Sequence, residues 1–465
     1  MTGVQTCALP ICDLSVTAGR PDGEAGGTDG ERDIDDGRER GHRSPVWFDR
    51  AGLAATIAMG VAWLVVMGMV LRHRIFVSSD TVSNYAHVWY VSRVLVHAHR
   101  IPYHMAIIGH GKGLAFPYAF VPWTSAALFR PLLGDWVVTL WLVMGSVGLI
   151  GATFWAFPEL RKGWWPAIVL ANPVLMIALV LGQLPFVWAM TMLLAAIACW
   201  RAERTVWAVV LAGLGQATHA AVVLPIAALL VLGWLRFEPQ RRRLLLAYAV
   251  SLVIAAPAVW LVFITPAFTD SSLGVKIVNF VETVTPRLLV VVVPIALVAA
   301  RRVARLWMLP LFLVASLAGS AAFATQLDTK TAWRDLSKSP EHSLDPFLES
   351  TTFRPGIEYR ILSTTDRRMG MYLLIQRGAR LDSEFFPESI VRITWPSAGA
   401  YCAFLRGRGV DRVIVYHHYD TGFRKNEQKL LRLLSTTDRG GCAAQNVAVR
   451  HLFTGPRFDV YAIIR

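Results

Sequence analysis

A polar stretch near the start of the chain carries the densest set of side chains that could do chemistry. Residues 78–123 contain a single carboxylate, Asp80, and six histidines lie between positions 73 and 110. An apolar segment ends shortly before Asp80, so this carboxylate would stand at a low-dielectric boundary and could act as a general base. The Ser-Ser-Asp sequence that ends at Asp80 equally fits the cap of a following helix. Asp80 is our catalytic candidate, and helix capping is the alternative interpretation.

The same stretch supplies polar and aromatic candidates for a substrate cavity. Its apolar spacing predicts an amphipathic helix over residues 83–98 that lies on a membrane surface. His97, His99 and His104 could bind a divalent metal, but their spacing fits no helix face, so we predict no cofactor and keep a metal as an open alternative. The residues expected to line the cavity are Tyr85, His87, His110, Lys112 and Tyr118.

Three further polar residues interrupt apolar segments later in the chain. Gln183 follows Gly182 between two apolar runs, and Gln216 and His219 lie within another interruption at 215–220. Polar groups that end short helices at one depth indicate a cavity in a membrane protein. A plain helix turn satisfied by water is the alternative.

Three cations stand beside apolar segments at the end that would carry this cavity. They are Arg130, Lys276 and Arg287. An anionic lipid phosphate is the natural partner of such groups. Long basic side chains also reach a membrane interface simply as anchors, and this remains the alternative.

The composition indicates that membrane helices position these residues. The 465-residue chain is 54% hydrophobic and only 17% charged, with a mean hydropathy of +0.45. This excludes an ordinary cytosolic enzyme and a disordered chain. The net charge of +14 comes from arginines at the ends of apolar segments, without a basic stripe that interleaves aromatics, so nucleic acid is not an expected partner.

The apolar segments predict an α-helical polytopic membrane protein with about nine transmembrane helices plus one re-entrant or interfacial helix. The proline-broken segment 116–133 is the re-entrant element, because only then do all short basic loops fall on one side. The N-terminus is then cytoplasmic, and the loops that carry the candidate residues are external. The nine spans are 51–71, 136–157, 166–182, 184–200, two short helices within 205–235, 244–265, 287–300 and 306–325.

The N-terminal region precedes the membrane domain and differs from it in character. Residues 1–12 back-translate codon for codon onto a common sequencing-adapter oligonucleotide, so we exclude them as an assembly artefact. Residues 13–45 are rich in Gly and Asp and are expected to be disordered. The transmembrane domain is expected to cover residues 46–325.

Residues 326–465 are predicted to form an extracytoplasmic α/β domain. Cys402 and Cys442 could form a disulfide there, although the sequence does not show that they meet. Strands alternate with helices in this region. The strands are expected at 411–418 and 458–465, and the helices at 399–409 and 426–435.

The order of these elements resembles the GT-C superfamily of membrane glycosyltransferases. The resemblance rests on a transmembrane helix, a long external loop that opens with an acidic residue, a surface helix, a G…PY…P element and a half-inserted helix. The later run NP…LGQ…W…AGL.Q…H…LP resembles the branch that uses polyprenyl-phosphate mannose as donor. The resemblance covers about residues 51–325, and His219 stands where members of the branch tend to carry Lys.

This resemblance implies a function. In the superfamily, the acidic residue of the first loop activates an acceptor hydroxyl, which displaces the polyprenyl phosphate with inversion at the sugar; the matching residue here is Asp80. Basic residues at the external face hold the lipid phosphate. We therefore expect an inverting, lipid-linked-sugar glycosyltransferase of the plasma membrane, in contact with membrane lipids, that acts on an extracytoplasmic glycan or lipid acceptor. The alternatives are a transporter or flippase, and a non-catalytic membrane protein that presents the external domain.

Overall fold

Helices form most of the structure, and a small sheet region lies near the end of the chain. The computed structural model describes residues 46–72, 76–77, 81–109, 113–114, 119–180, 182–264, 273–301, 307–326, 334–335, 344–362, 367–382, 395–417, 422–436 and 442–465. These residues are mostly helical, and five strands in the C-terminal part form the main sheet. The coarse prediction of a helical protein with a C-terminal α/β region is confirmed.

The described helices of the first part follow one another closely along the chain. Two short antiparallel ladders accompany them. β1 (Phe76–Val77) pairs with the distant β4 (Arg334–Asp335), and β2 (His104–Met105) pairs locally with β3 (Gly113–Leu114). The helices are α1 (Val46–Leu71), α2 (Thr81–Ala98), α3 (Phe120–Leu133), α4 (Trp136–Ala156), α5 (Trp165–Leu170), α6 (Pro173–Val180), α7 (Leu184–Arg201), α8 (Thr205–Thr218), α9 (Ala220–Leu235), α10 (Arg241–Ile264), α11 (Leu273–Ala300) and α12 (Met308–Gln326).

Several of these helices could cross a membrane. Within the described residues, four are long and apolar enough, namely Val46–Leu71, Trp136–Ala156, Leu184–Arg201 and Arg241–Trp260. Four shorter apolar helices accompany them, at Thr205–Thr218, Ala220–Leu235, Arg287–Ala300 and Met308–Ala321. Large apolar side chains such as Leu64 on α1 and Val253 on α10 are exposed, as they would be against lipid. These features are consistent with a membrane protein.

The single span predicted at 166–182 is wrong, because two short helices occupy this segment. α5 ends at Leu170 and α6 begins at Pro173. The backbone nitrogen of Val174 donates to the Asn172 side chain at 3.0 Å, and Pro173 has no N–H with which to continue the preceding helix. The polar residue and the proline together end α5 and start α6.

The segment between the predicted spans 244–265 and 287–300 is helical from residue 273 onward, although the sequence predicts no helix there. α11 begins at Leu273 and continues to Ala300. Its first turns carry apolar residues at 273, 277, 280, 281 and 284, which is helical spacing. The polar residues of this segment keep its mean hydropathy below that of a membrane span, so the sequence does not predict the helix.

The sheet region contains a five-stranded mixed sheet. Its order is β6 (Arg380–Leu381), β5 (Glu358–Leu362), β7 (Arg412–Tyr416), β9 (Phe458–Ile464), β8 (Ala448–Thr454). β5 is parallel to β6 and β7, whereas β9 is antiparallel to β7 and β8. The accompanying helices are α13 (Asp345–Leu348), α14 (Arg367–Gln376), α15 (Ala398–Gly407) and α16 (Gly422–Thr436). The two strands and two helices predicted here are confirmed.

Two buried links fasten the helices of this region to its sheet. Cys402 on α15 and Cys442 before β8 are disulfide-bonded, with Cα atoms 5.5 Å apart. Arg360 on β5 donates to Asp382 at 2.9 Å and to Glu427 on α16 at 2.6 Å. Burial alone would lower the pKa of Arg360, but the two carboxylates outweigh it and raise that pKa above its ordinary value. The guanidinium therefore stays charged.

The helix predicted at 83–98 is present, but the prediction that it lies on a surface is wrong for its first half. Every residue from Thr81 to Trp89 is buried. Helices α3 and α4 pack on one side of α2, and α14 of the sheet region packs on another. The sequence pattern predicts that this second face is exposed to solvent. It cannot show otherwise, because the helix that covers the face lies nearly 300 residues further along the chain.

The sheet region and the segment 81–109 share contacts. The rings of Tyr85 on α2 and Tyr372 on α14 lie 6.2 Å apart, and the backbone nitrogen of Leu381 donates to the Ile107 carbonyl at 2.8 Å. Burial, and then the nearby Asp135 carboxylate, raise the pKa of Tyr372 well above its ordinary value, so this phenol stays neutral. The sheet region thus lies at the end of the helices that carries α2.

One buried carboxylate at the start of β5 should make stability depend on pH. Burial raises the pKa of Glu358 from 4.5 to about 7, although Arg380 acts in the opposite direction. The unfolded chain therefore loses this proton more readily than the folded chain. As the pH rises from about 4.5, Glu358 destabilises the fold progressively, and above about pH 7 the penalty is constant.

We expect Glu358→Gln to raise the apparent Tm at pH 8 by about 1–3 °C and to leave it nearly unchanged at pH 4.5. The amide keeps the shape of the side chain and removes the ionisation. Thermal unfolding of detergent-solubilised protein across this pH range measures the difference. Glu349→Gln, which removes an exposed carboxylate, is the matched control. An equal gain at both pH values would contradict the burial argument.

Candidate functional site

The candidate site is built around the first half of α2. Asn84, Tyr85 and His87 are almost completely buried there, with relative exposures of 1–2%. The helix begins at Thr81, so Asp80 is the residue directly before it in the chain. Asp80 itself lies outside the described residues. The start of α2 therefore places a set of polar side chains inside the protein, where each needs a hydrogen-bond partner.

Asn84 connects three separate segments. Its Nδ2 donates to the Gly182 carbonyl at 2.9 Å, and its Oδ1 accepts from Trp123 Nε1 on α3 at 2.9 Å. Gly182 and Gln183 form the break between α6 and α7. The break predicted at Gly182 and Gln183 therefore lies next to the helix predicted at 83–98. We call the two hydrogen bonds of the Asn84 side chain the Asn84 bridge.

His87 is held in one orientation by two contacts. Its Nδ1 donates to the Ser83 carbonyl at 2.6 Å, since a carbonyl can only accept. Its ring stacks on Trp123, with centroids 3.9 Å apart and planes 14° apart. The hydrogen bond assigns the proton of the neutral ring to Nδ1.

The first turn of α7 brings two more candidates into the same region. The ring of Phe186 lies 6.3 Å from that of His219, and the Arg287 guanidinium lies 5.6 Å from the Phe186 ring. The backbone nitrogen of Ala119, just before α3, donates to the Thr218 carbonyl at 3.1 Å. The end of α8, the start of α7 and the middle of α11 therefore meet beside the Asn84 bridge.

Four candidates from the sequence are thus linked through intermediate residues: His87 through Trp123 and Asn84, Gln183 through its place in the break, and His219 and Arg287 through Phe186. A guanidinium held on an aromatic face keeps its charge in a partly dry environment, and it suits a phosphate or another anion. His87 contributes an imidazole that could accept or deliver a proton. Together these groups could bind an anion and move a proton beside it.

The structure places three other candidates in different surroundings. Gln216 points away from the site, because its Nε2 donates to Ser251 on α10 at 2.9 Å. Arg130 is occupied by an ion pair with Asp135 at 2.8 Å. The Tyr85 hydroxyl lies 2.6 Å from the Thr139 hydroxyl, so this phenol serves the contact between α2 and α4.

The remaining candidates lie where the structure gives no side-chain description. Asp80, His110, Lys112 and Tyr118 are outside the described residues, and Lys276 falls in the part of α11 whose side chains are not described. Among the described residues, no group of three His, Cys, Asp or Glu side chains could hold a metal ion.

Sequence reasoning missed Asn84, Trp123 and Phe186 as members of this site. Asn84 stands in a run of apolar and small residues. An amide buried in such a run needs a hydrogen-bond partner, and this requirement could have identified Asn84 as a site residue. Trp123 and Phe186 carried no such signal, because aromatic residues in apolar segments usually only pack.

Comparison with known proteins identifies no family for this chain. No family model matches the chain, and neither a curated protein nor a solved structure is significantly similar to it.

We expect Asn84→Leu to destabilise the protein by about 2–4 kcal/mol, because it leaves the Gly182 carbonyl and the Trp123 indole N–H without this partner. Trp123→Phe should have a smaller effect, and the double variant should be less damaged than the sum of the two. Thermal unfolding in detergent measures this coupling, with the exposed His97→Leu on the same helix as control. Strict additivity would show that the bridge contributes nothing.

Proposed function

We propose that this protein is an inverting membrane glycosyltransferase that moves a sugar from a polyprenyl-phosphate donor to a glycan or lipid acceptor. One observation carries the proposal. The buried start of α2, which Asp80 directly precedes in the chain, is bonded to Gly182 of the Gly182–Gln183 break. His219 and Arg287 both contact Phe186, which lies just after that break. A carboxylate, an imidazole and a cation are the groups that such a transfer needs.

In the proposed reaction, the Asp80 carboxylate takes the proton of the acceptor hydroxyl. The acceptor oxygen then forms a bond to the anomeric carbon from the face opposite the phosphate. The bond between that carbon and the phosphate oxygen breaks, and polyprenyl phosphate leaves with the electron pair. Arg287 would bind the donor phosphate and stabilise the charge that develops on it.

The proposed topology has about nine spans, a cytoplasmic N-terminus and an external α/β domain. The ladder between β1 and β4 supports it, since the chain just after α1 pairs with the chain just after α12. The disulfide between Cys402 and Cys442 also supports it, because such bonds persist in oxidising, extracytoplasmic environments. The arginine-rich turns at 201–204 and 236–243 would then face the cytoplasm.

Asp80→Asn should lower transfer by at least about a hundredfold and leave donor binding intact, because the amide cannot accept the proton. The assay follows tritiated sugar from a panel of polyprenyl-phosphate hexoses and pentoses to mannoside and lipid acceptors. The protein is reconstituted in nanodiscs. Asp49→Asn, at the start of α1, removes the same charge away from α2 and is the control. Unchanged turnover in Asp80→Asn would overturn the assignment of the base.

The same preparation separates the alternative functions. Movement of a fluorescent polyprenyl phosphate between vesicle leaflets, without sugar transfer by the unaltered protein, would indicate a flippase. Absence of both activities across the panel would indicate a non-catalytic membrane protein.

Arg287→Gln should raise the Kd for a short-chain polyprenyl phosphate by about tenfold, because one charge-assisted contact to the phosphate is lost. Arg301→Gln, which removes an exposed charge just beyond the other end of α11, is the matched control. Titration in nanodiscs measures both. An equal effect of the two variants would indicate general electrostatic attraction and not a phosphate site.

A further inference from the structure

A cavity lies in the helical region between α7, α8, α9 and α10. The space between its atoms is about 590 Å³ when the solvent at its open mouth is counted. Each of the four helices contributes one face. The lining residues are Leu193, Ala196, Ile197 and Trp200 from α7, Ala208, Val209, Ala212 and Gln216 from α8, Ala227, Leu230, Val231 and Trp234 from α9, and Leu244, Ala247, Tyr248 and Ser251 from α10.

The walls of this cavity suit a hydrocarbon chain. Its lining along α10, from Leu244 to Ser251, spans about 10 Å of helix axis, which fits part of one acyl chain. Leu230 and Val231 are partly exposed, and the neighbouring side chains Leu229 and Leu232 are exposed and apolar. The cavity therefore opens on a surface that a bilayer would cover.

Arginines outnumber carboxylates at one end of the cavity, where the buried Glu238 accepts a hydrogen bond from Trp200 at 3.2 Å. Arg204 directly precedes α8, four positions before the lining residue Ala208, and Arg241 opens α10, three positions before Leu244. Both therefore stand at the end of the cavity that Ala208 and Leu244 line. Both arginines are exposed. Arg243 lies 5.7 Å from the ring of Trp200, which lines the same end. An anionic group here would gain charge complementarity that a neutral one would not.

A buried donor in the lining adds a polar feature near this end. The indole Nε1 of Trp234 is buried, and no hydrogen-bond partner for it exists among the described residues. Trp234 lies two residues before the C-cap of α9, at the level of the arginine-rich turns. An ester or phosphate oxygen of a lipid would satisfy this N–H, whereas a purely apolar occupant would not.

We propose that this cavity is a binding site for an anionic phospholipid of the bilayer. One acyl chain lies between α9 and the layer of α7, α8 and α10, and the phosphate lies against Arg204 and Arg241. The site is separate from the proposed donor site, because it opens at the arginine-rich end of the helices and the Asn84 bridge lies at the other. Lipid here would fill the gap beside α9 and stabilise its packing.

Native mass spectrometry tests the headgroup contact. The full chain is released from vesicles of phosphatidylglycerol and phosphatidylcholine in a one-to-four ratio, and the retained lipids are counted. We expect retained phosphatidylglycerol, and a reduction of about tenfold or more in the double variant Arg204→Gln/Arg241→Gln. Arg377→Gln/Arg450→Gln removes two exposed arginines of the sheet region and should change nothing. Equal loss in both double variants would overturn the phosphate site.

Filling the cavity tests the acyl-chain contact. Ala247→Phe places a ring in the cavity and should abolish lipid retention, whereas Ala249→Phe, on an exposed position of the same helix, should not. Ala212→Ile fills the cavity from α8 and covers the case in which the first variant does not fold. Retention of phosphatidylglycerol in a folded filled variant would overturn the proposal. Retention of both lipids without a headgroup preference would also overturn it. So would a mass of two protein chains without bound lipid, because a second chain would then cover the cavity.

Discussion

The hydrogen bonds of one buried amide connect the parts of this structure that surround its candidate site. Asn84 has an exposed fraction of 1%, and both ends of its side chain are bonded, to Gly182 and to Trp123. A buried amide without partners would cost several kcal/mol. The break between α6 and α7 must therefore stay next to α2, and α3 must present Trp123 to the same point. The stack of His87 on Trp123 follows from that placement.

The two ends of the helical region are built from different interactions. At the end that carries α2, buried hydrogen bonds and aromatic contacts join segments distant in sequence. At the other end, charged pairs join neighbouring helices, such as Arg201 with Glu159 at 2.5 Å. Burial would raise the pKa of Glu159, but the hydrogen bond from Arg201, a backbone hydrogen bond and the charges of Arg201 and Arg301 together hold that pKa below its ordinary value. The first end is suited to a defined site, and the second to an interface with charged headgroups.

The sequence predicted the elements whose signals are local. α4, α7, α10 and α12 follow from continuous apolar runs, and β7 and β9 follow from runs of β-branched and aromatic residues. Burial of α2 could not be predicted, since α14 covers it from a distant part of the chain. Three site candidates followed from polar residues at the ends of apolar runs, namely Gln183, His219 and Arg287. Gln216 points to Ser251 instead, because the rotation of a helix is set by its neighbours.

The sheet region does more than occupy one end of the molecule, because it helps to fix α2. Tyr85 is held by Thr139 on one side and contacts Tyr372 of α14 on the other. The Arg130–Asp135 pair lies within electrostatic reach of Tyr372, so the corner between α3 and α4 meets the same helix. The sheet region is itself fastened by Arg360 and by the Cys402–Cys442 bond. Any displacement of α14 would therefore uncover the side of α2 that carries Tyr85. Because the same helix carries Asn84 and His87, the position of these two residues depends on a contact made by the distant sheet region.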